Sequence, residues 1–194
     1  MTTRTGQDII ERQVKLVGFT PLMFDRYAGD NKTQLPVEAK LYFMPDGKTL
    51  CVPAINLSSF LSAKNTTSVS KLIGGKQYKA LCDAMLSYIQ IEPTSIPIMR
   101  DNAPVVFTGF RDGRDTTAGI YVDRRVARLD KGIPNPKERP VIELPWYVEF
   151  KIRLFKNDVF DETLIFTAFR RGGMAIGLGT FRGLFGKFEV EKWE

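Results

Sequence analysis

The sequence predicts an α+β protein in which an antiparallel sheet carries helices on one face. Three observations support this class. Several segments alternate apolar and polar residues, as strands with one buried face do. Other segments repeat apolar residues at helical spacing, and turn residues separate the two kinds. A length of 194 residues with 43% hydrophobic side chains suits one globular domain with a buried core.

The N-terminal part of the chain predicts strands and one hairpin. Residues 13–24 alternate like a strand that becomes irregular near its proline, and the polar residues 25–36 form a loop. A second strand covers residues 37–44. The Pro-Asp-Gly turn at 45–47 connects it to a hairpin partner over residues 49–53, because proline presets φ and glycine accepts a positive φ.

Two helices are predicted next. Asn56 is placed at the N-cap of a short helix, whose buried side consists of Leu57, Phe60 and Leu61. A polar loop over residues 62–70 separates it from a longer helix over residues 76–89. The apolar face of that longer helix contains Tyr78, Leu81, Met85 and Tyr88 or Ile89. The prolines that follow end it.

Strands return in the second half of the chain. Residues 105–110 and 120–129 are strand-like and flank an exposed charged turn at 111–115. The basic residues 131–140 form a proline-stiffened loop. Residues 141–155 form a long strand region with alternating apolar side chains, among them Val148, Phe150, Ile152 and Leu154.

The C-terminal segment combines a helix, a glycine-rich tail and a closing strand. Asp161 caps a helix over residues 162–171, and Gly172 supplies its C-terminal stop. The tail over residues 172–187 is rich in glycine, and a short strand over residues 188–193 follows it.

The spacing of these glycines excludes two nucleotide-binding motifs. Gly177, Gly179 and Gly183 give G-x-G-x-x-x-G between a helix and a strand, whereas a dinucleotide fingerprint needs G-x-G-x-x-G between a strand and a helix. The Gly-Gly-Lys-Gln at residues 74–77 lacks the first glycine and the hydroxyl of a P-loop. Two explanations of the tail are left: close packing of its backbone on the sheet, or contacts of its cations and aromatics with phosphates and bases.

Composition removes several classes of active site. The chain has no histidine, which excludes Ser-His-Asp and Cys-His nucleophiles and His-ligated zinc. Cys51 and Cys82 stand among apolar neighbours and are expected to be reduced core residues. We expect no cofactor and no metal. The polar N-terminus and the lack of a long apolar run predict a cytoplasmic protein without a membrane partner. The net charge of +6 permits an anionic partner.

Two segments resemble the RAMP superfamily, the ferredoxin-like or RRM-like proteins of CRISPR systems. The C-terminal sequence GGMAIGLGTFRGLFGKFEVEKW resembles the glycine-rich loop of that superfamily, although Leu184-Phe185 lengthens its usual ending by one residue. TLCVPAINLSSFLSAKN at residues 49–65 resembles the strand–helix element of the backbone-subunit branch, without its exact glycine and lysine positions. The resemblance implies one ferredoxin-like or RRM-like domain over residues 1–194, with a loop or β-hairpin insertion.

The resemblance also implies a function. Protomers of such proteins polymerise side by side along single-stranded RNA, and a thumb interrupts the bound strand at intervals. The thumb candidate is residues 111–130, within a possible insertion over residues 100–140. The leading hypothesis is a non-enzymatic RNA-binding protein that oligomerises along the strand, with other effector-complex subunits as further partners. A protein of this size equally suits coating of single-stranded DNA in a phage or mobile element.

The candidate contacts fall into three groups. They are Asn56, Ser58, Ser59 and Lys64 at the short helix; Arg111, Arg114, Arg124, Arg125, Arg128, Lys131, Lys137 and Arg139 in the basic region; and Gly177, Gly179, Phe181, Arg182 and Lys187 in the tail. The helix start holds a phosphate or is merely capped, and the basic region tracks phosphates or is an ordinary charged surface.

Two alternatives stay open beside nucleic-acid binding. Asp25 and Asp30 lie in a loop comparable to one from which some RAMP backbone subunits use an aspartate in metal-dependent RNA cleavage. A divalent-metal endoribonuclease is therefore the first alternative. The second is an assembly or inhibitor protein that copies the fold and binds protein instead.

Overall fold

The computed structural model describes residues 9–30, 33–65, 67–111, 119–128 and 134–194 of the chain. The larger of its two antiparallel sheets has seven strands. Along the main path their order is β10 (Phe188–Trp193), β1 (Ile9–Gly18), β9 (Tyr147–Phe155), β5 (Ser95–Arg100) and β3 (Cys51–Pro53). Two short strands extend the sheet: β4 (Ile89–Glu92) pairs with β9, and β6 (Ala103–Pro104) pairs with β5.

Helices cover one face of this sheet. They are α1 (Ala54–Ser62), α2 (Val69–Ile73), α3 (Tyr78–Tyr88) and α4 (Glu162–Ala175). The alternating residues predicted for β9 are buried on that face, together with Val14 and Leu16 of β1. They form one core with apolar residues of α1, α3 and α4. The predicted α+β class with helices on one face is confirmed.

The smaller sheet has the order β2 (Leu22–Met23), β8 (Pro134–Ile142) and β7 (Ile120–Arg128). The last two strands pair along their whole length, from Ile120 opposite Ile142 to Arg128 opposite Pro134. They form a long β-hairpin, which the basic region of the sequence supplies. The strand predicted over residues 120–129 is therefore confirmed for its described part.

The loop predicted over residues 131–140 is wrong, because residues 134–140 belong to β8. Its prolines, at 134, 136 and 140, occupy alternate positions, and backbone groups of alternate strand residues point to the same side. The carbonyl of Pro140 accepts a hydrogen bond from Phe24 N at 3.1 Å, so that side faces away from β7. The missing N–H groups therefore cost no hydrogen bond between β7 and β8.

The strand predicted over residues 37–44 is also wrong. A 3₁₀ turn occupies Glu38–Lys40, and Phe43 makes a single bridge to Leu50. The turn at 45–47 is confirmed, since Met44 N donates to Thr49 O at 2.8 Å. The following strand, β3, pairs with β5 and also keeps a hydrogen bond to the segment before the turn, from Cys51 N to Tyr42 O at 3.0 Å.

The helices differ from prediction mainly at their ends. α1 begins at Ala54 with Pro53 as its N-cap, so Asn56 lies inside the helix and is not its cap. The predicted core residues of this helix, Leu57, Phe60 and Leu61, are buried. α2 begins at the end of the polar loop predicted over 62–70, where Val69 and Ser70 are buried, and continues to Ile73. α3 ends at Tyr88, where β4 begins.

The remaining strands differ from the prediction in three ways. β4 and β5 fill a proline-containing segment for which no strand was expected. Residues 105–110 hold no strand, although Val106 bridges to Thr49. The long region 141–155 divides into the end of β8 and all of β9.

The last helix starts as predicted and ends later than predicted. Asp161 accepts a hydrogen bond from Leu164 N at 2.8 Å. The predicted stop at Gly172 is wrong, since α4 continues to Ala175. A Cβ at Gly172 would lie 2.5 Å from Phe60 Cζ and would also meet Val69. This glycine therefore permits close helix packing.

Candidate nucleic-acid interface

A groove of about 680 Å³ separates the loop after β2 from the hairpin of β7 and β8. Its charged lining consists of five cations and three carboxylates, namely Arg26, Lys40, Arg124, Arg125, Lys137, Asp25, Asp30 and Glu138. Tyr27 also lines it and is 64% exposed. The groove thus combines a surplus of positive charge with an exposed aromatic ring.

The hairpin side of the groove contains Arg124, Arg125 and Lys137. Arg124 lies opposite Glu138, and Arg125 lies opposite Lys137, with the two arginines on opposite faces of β7. The Arg124 side chain is 76% exposed, and its Nε lies 2.7 Å from Glu138 Oε1. An exposed ion pair of this kind is weak, so Arg124 can exchange its partner for another anion.

Arg125 connects the hairpin to the glycine-rich loop. It donates two hydrogen bonds of 2.6 Å to the carboxylate of Asp123, which raise the pKa of the guanidinium. Its guanidinium lies 5.2 Å from the ring centres of both Phe181 and Phe185. Phe181 is 38% exposed, so an aromatic edge stays open beside the basic strand.

A buried charge cluster lies where the loop meets the hairpin. Arg139 Nε donates to Asp25 Oδ2 at 2.9 Å, and Lys40 Nζ lies 3.3 Å from Asp25 Oδ1. Lys40 Nζ also donates to the carbonyl of Glu138 at 2.6 Å. These bonds hold the loop against β8 and form the floor of the groove.

The glycine-rich loop is packed by backbone contacts. Thr180 N donates to Met23 O at 2.9 Å, and Gly186 N donates to Pro21 O at 2.7 Å. A Cβ at Gly179 would meet Met23 O, and one at Gly177 would lie 2.8 Å from the Gly186 backbone. These contacts favour the packing explanation of the glycines, and the amides of Thr180 and Gly186 already have acceptors.

Arg182 and Lys187 both have contacts within the protein, and their contact with nucleic acid stays a prediction. Arg182 Nη1 donates to Thr67 O at 2.6 Å and its Nε donates to Gly179 O at 3.2 Å, while burial lowers the pKa of the guanidinium. This geometry assigns Arg182 to tying the loop to the α1–α2 connection. The half-buried Lys187 is anchored through its backbone N, which donates to Thr20 Oγ1 at 2.8 Å.

The residues predicted at the short helix do not meet the hairpin. Ser58 and Ser59 lie in the second turn of α1, and the Ser58 hydroxyl donates to Ala54 O at 3.3 Å. With Lys64, which pairs with Asp83, they line a separate cavity of about 290 Å³. The structure thus places Asn56, Ser58, Ser59 and Lys64 apart from the groove, and their contact with nucleic acid stays a prediction.

Of the remaining basic candidates, Arg111 lies beside the start of β7, where its N donates to Ile120 O at 2.8 Å. Arg111 Nη2 lies 2.5 Å from Glu143 Oε1, and its guanidinium lies 5.0 Å from the Tyr121 ring centre. Arg114 and Lys131 lie outside the described residues, as do the parts of the thumb candidate at 112–118 and 129–130. Arg128 ends β7, and its side chain is likewise outside them.

Sequence reasoning missed three residues of the groove: Arg26, Tyr27 and Lys40. Arg26 and Tyr27 stood in a segment interpreted as loop, and Lys40 in a segment interpreted as strand. The available signal was the Asp-Arg-Tyr sequence directly after a strand. Its significance depends on the hairpin, which lies about one hundred residues later in the chain and which forms the other wall.

The aspartates of the loop have partners that compete with a metal. Asp25 is held by two cations, and Asp30 accepts hydrogen bonds from Thr33 N at 2.6 Å and Thr33 Oγ1 at 2.7 Å. Over the described ranges, no group of three or more acidic or cysteine side chains is placed to hold a metal ion. Cys51 and Cys82 are free, buried thiols, as predicted.

The open face of the larger sheet has a different electrostatic character. Among the described residues, the lysines and arginine of β1, β9 and β10 on this face pair with carboxylates: Lys15 with Glu191, Lys151 and Arg153 with Glu11, Arg153 also with Glu92, and Lys192 with Glu194. This face therefore offers no surplus of positive charge to a polyanion. The groove is the better candidate surface.

Comparison with known proteins gives a structural match without a sequence match. No family model matches the chain, and no curated protein does. Among solved structures 26 chains match. One of them belongs to the cryo-EM structure of the Type III-B Cmr-beta bound to cognate target RNA. It is 16% identical, with a TM-score of 0.58 over 96% of this chain and 60% of that chain.

This likeness concerns the fold alone. It agrees with the predicted α+β, ferredoxin-like fold. The present chain spans 60% of the length of the matched chain. Within the described residues, none of the helices combines the length and apolar character that crossing a membrane requires.

Proposed function

We propose that this protein binds single-stranded RNA as a non-enzymatic subunit of a CRISPR effector complex, and that the groove is its RNA-contacting surface. The observation that carries the proposal is the placement of exposed Tyr27 beside Arg124 and Lys137 in one groove. Cations that neutralise phosphates and an aromatic ring that stacks on a base are the two components of single-strand binding.

The fold supports the same proposal. The matched chain comes from a structure that contains target RNA, and the first strand of the hairpin, β7, lies within the thumb candidate over residues 111–130. A thumb that projects beside a groove suits a protein whose copies lie side by side along one strand. We therefore propose that protomers oligomerise on RNA and that the hairpin separates the segments bound by neighbouring copies.

The proposed subunit does not cleave its RNA. Metal-dependent cleavage needs carboxylates that are available to a divalent cation. Asp25 is paired with Lys40 and Arg139 in the free protein, and these two cations beside it repel a metal ion whether or not the pairing is kept. Asp30 accepts two hydrogen bonds from Thr33. Bound RNA should therefore stay intact in Mg²⁺ or Mn²⁺.

The first prediction concerns the salt dependence of RNA binding. Filter binding of labelled single-stranded RNA should give an affinity that falls steeply with salt and depends weakly on sequence. Replacing Arg124 and Lys137 by alanine should lower the slope of log K against log salt by about 1.4, because each single-strand phosphate contact contributes about 0.7. The control is the Lys15→Ala, Lys151→Ala pair on the open sheet face, which should leave the slope unchanged.

Each alternative has its own outcome in this assay. Equal loss of slope in both double variants would contradict the assignment to the groove. Tighter binding of single-stranded DNA would favour a DNA-coating protein. Absence of salt-sensitive binding to any single strand would favour the assembly or inhibitor protein, and cleaved RNA on a denaturing gel would favour the endoribonuclease.

A further inference from the structure

The buried charge cluster beside the groove has more positive than negative charge. The side chains of Arg139 and Lys40 are 8% and 10% exposed, and both are held by the single carboxylate of Asp25. Asp123 lies opposite Arg139 across the hairpin but is paired with Arg125, so the two cations and the Asp25 carboxylate leave a net charge of +1. Buried charges normally require full pairing, because removal from water is costly.

Arg139 also lacks one acceptor. Its Nη1 is buried and has no hydrogen-bond partner among the described residues. Its Nε is satisfied by Asp25, and its guanidinium faces the Phe181 ring at 5.9 Å. A buried guanidinium N–H group without a protein acceptor is uncommon, and either a water or an anion can supply the missing acceptor.

The cluster is reachable from the groove. Asp25 and Lys40 are both part of the groove lining, and 23% of the Asp25 side chain is exposed. Arg139 does not line the groove itself, and its guanidinium is connected to the groove through Asp25, whose other oxygen lies beside Lys40. The other charged groups of the lining are Arg26, Asp30, Arg124, Arg125, Lys137 and Glu138.

We infer that Lys40 and Arg139 form a phosphate subsite of the groove, and that the Asp25 carboxylate occupies this subsite in the free protein. A phosphodiester oxygen would replace the carboxylate at Lys40 and supply an acceptor for Arg139 Nη1, while Asp25 turns towards solvent. Guanidinium and phosphate suit this exchange, because phosphate oxygens accept charge-assisted hydrogen bonds as carboxylate oxygens do. Asp25 is then an internal competitor of the ligand.

This inference rests on the proposed function for the identity of its ligand, an RNA phosphate. It assigns Asp25 an effect opposite to the one that a catalytic role would have. A catalytic aspartate is required for activity, whereas a competing carboxylate weakens binding. Removing the Asp25 charge should therefore strengthen the attraction of the groove for anions.

Inorganic phosphate tests the subsite without RNA. Asp25→Asn should unfold at a lower temperature than the wild type, because two buried cations lose their counter-ion. Added phosphate, at constant ionic strength with chloride, should raise the unfolding temperature of Asp25→Asn more than that of the wild type. The extra rise should disappear in the Asp25→Asn, Lys40→Met double variant.

The matched control is Glu191→Gln, which removes the carboxylate of an ion pair with Lys15 on the open sheet face. Its response to phosphate should equal that of the wild type. An Asp25→Asn response no larger than the Glu191→Gln response would overturn the subsite.

Lys40→Met provides a second test that does not depend on the folding of Asp25→Asn. It leaves Asp25 and Arg139 as a neutral pair, and it should lower RNA affinity and reduce the salt slope by about 0.7. Lys192→Met, on the open sheet face, should do neither. Unchanged RNA affinity in Lys40→Met would overturn the subsite.

The two proposals can fail separately. If the wild type binds RNA while Lys40→Met and Asp25→Asn bind it equally well, the RNA-binding function stands and the subsite is overturned. If phosphate rescues Asp25→Asn while the wild type binds no RNA, the subsite is supported for phosphate and the proposed function is wrong.

Discussion

At the scale of single residues, Glu162 connects the last helix, α4, to the strands β1 and β10. Its Oε1 accepts hydrogen bonds from Arg12 Nε at 2.6 Å and Trp193 Nε1 at 2.8 Å, and its Oε2 accepts one from Arg12 Nη2 at 2.9 Å. Burial raises the pKa of this carboxyl group, but the hydrogen bonds from Arg12 and Trp193 outweigh it and hold the pKa below the ordinary value of 4.5.

Glu162→Gln should lower the free energy of unfolding by about 1–2 kcal/mol at pH 7, because a charge-assisted hydrogen-bonded pair is lost. A depressed pKa stabilises the folded state above the pKa of the unfolded chain, and this stabilisation disappears as the pH falls through the folded pKa. Urea unfolding at pH 7 and at pH 3 should therefore show a difference between variant and wild type that shrinks in acid. Glu189→Gln, exposed on the open sheet face, should match the wild type at both pH values.

Local side-chain interactions could be predicted from the sequence, and long-range ones could not. The Asp161 cap was predicted because its acceptor serves an amide three residues away. Arg182 was predicted as a nucleic-acid contact, but its guanidinium donates to Thr67 O, more than one hundred residues away in sequence. This partner follows from the folded arrangement alone, and the contact of Arg182 with nucleic acid stays a prediction.

At the scale of elements, α4 depends on a glycine that its sequence pattern presents as a stop signal. Gly172→Ala should improve helix propensity by up to about 1 kcal/mol, yet the new methyl group would lie 2.5 Å from Phe60 Cζ and would also meet Val69. Overpacking of this kind costs about 1–3 kcal/mol, so the variant should unfold at a lower urea concentration than the wild type. Arg171→Ala, exposed on the same helix, should change stability by less than about 0.5 kcal/mol.

The distinction between local and long-range interactions also explains which elements were predicted correctly. β9 and α3 have clear periods because one side of each faces the core, so their existence followed from the sequence. β8 was missed because its prolines are typical of a loop, and their tolerance depends on which strand edge they face. The groove wall that β8 forms was missed for the same reason.

At the scale of the whole molecule, charge is distributed unevenly over two surfaces. The basic candidates Arg124, Arg125 and Lys137 do line one groove, as the sequence suggested from their proximity. The wall opposite them, with Arg26, Tyr27 and Lys40, follows from tertiary structure alone. The open sheet face neutralises its cations within ion pairs, a property that pairing across strands creates and that composition does not reveal.

This asymmetry predicts which aromatic residue meets RNA. An RRM-like mode would stack bases on the open sheet, where Tyr147 lies, whereas the groove places bases at Tyr27. Lys15 already covers the Tyr147 ring, with Nζ 4.5 Å from its centre. Tyr27→Leu should therefore weaken RNA binding by about 1–3 kcal/mol, the contribution of one base–aromatic stack, and Tyr147→Leu should leave it unchanged. Ultraviolet crosslinking followed by peptide mapping should place RNA on Tyr27, and a crosslink at Tyr147 with normal affinity of Tyr27→Leu would instead assign binding to the sheet face.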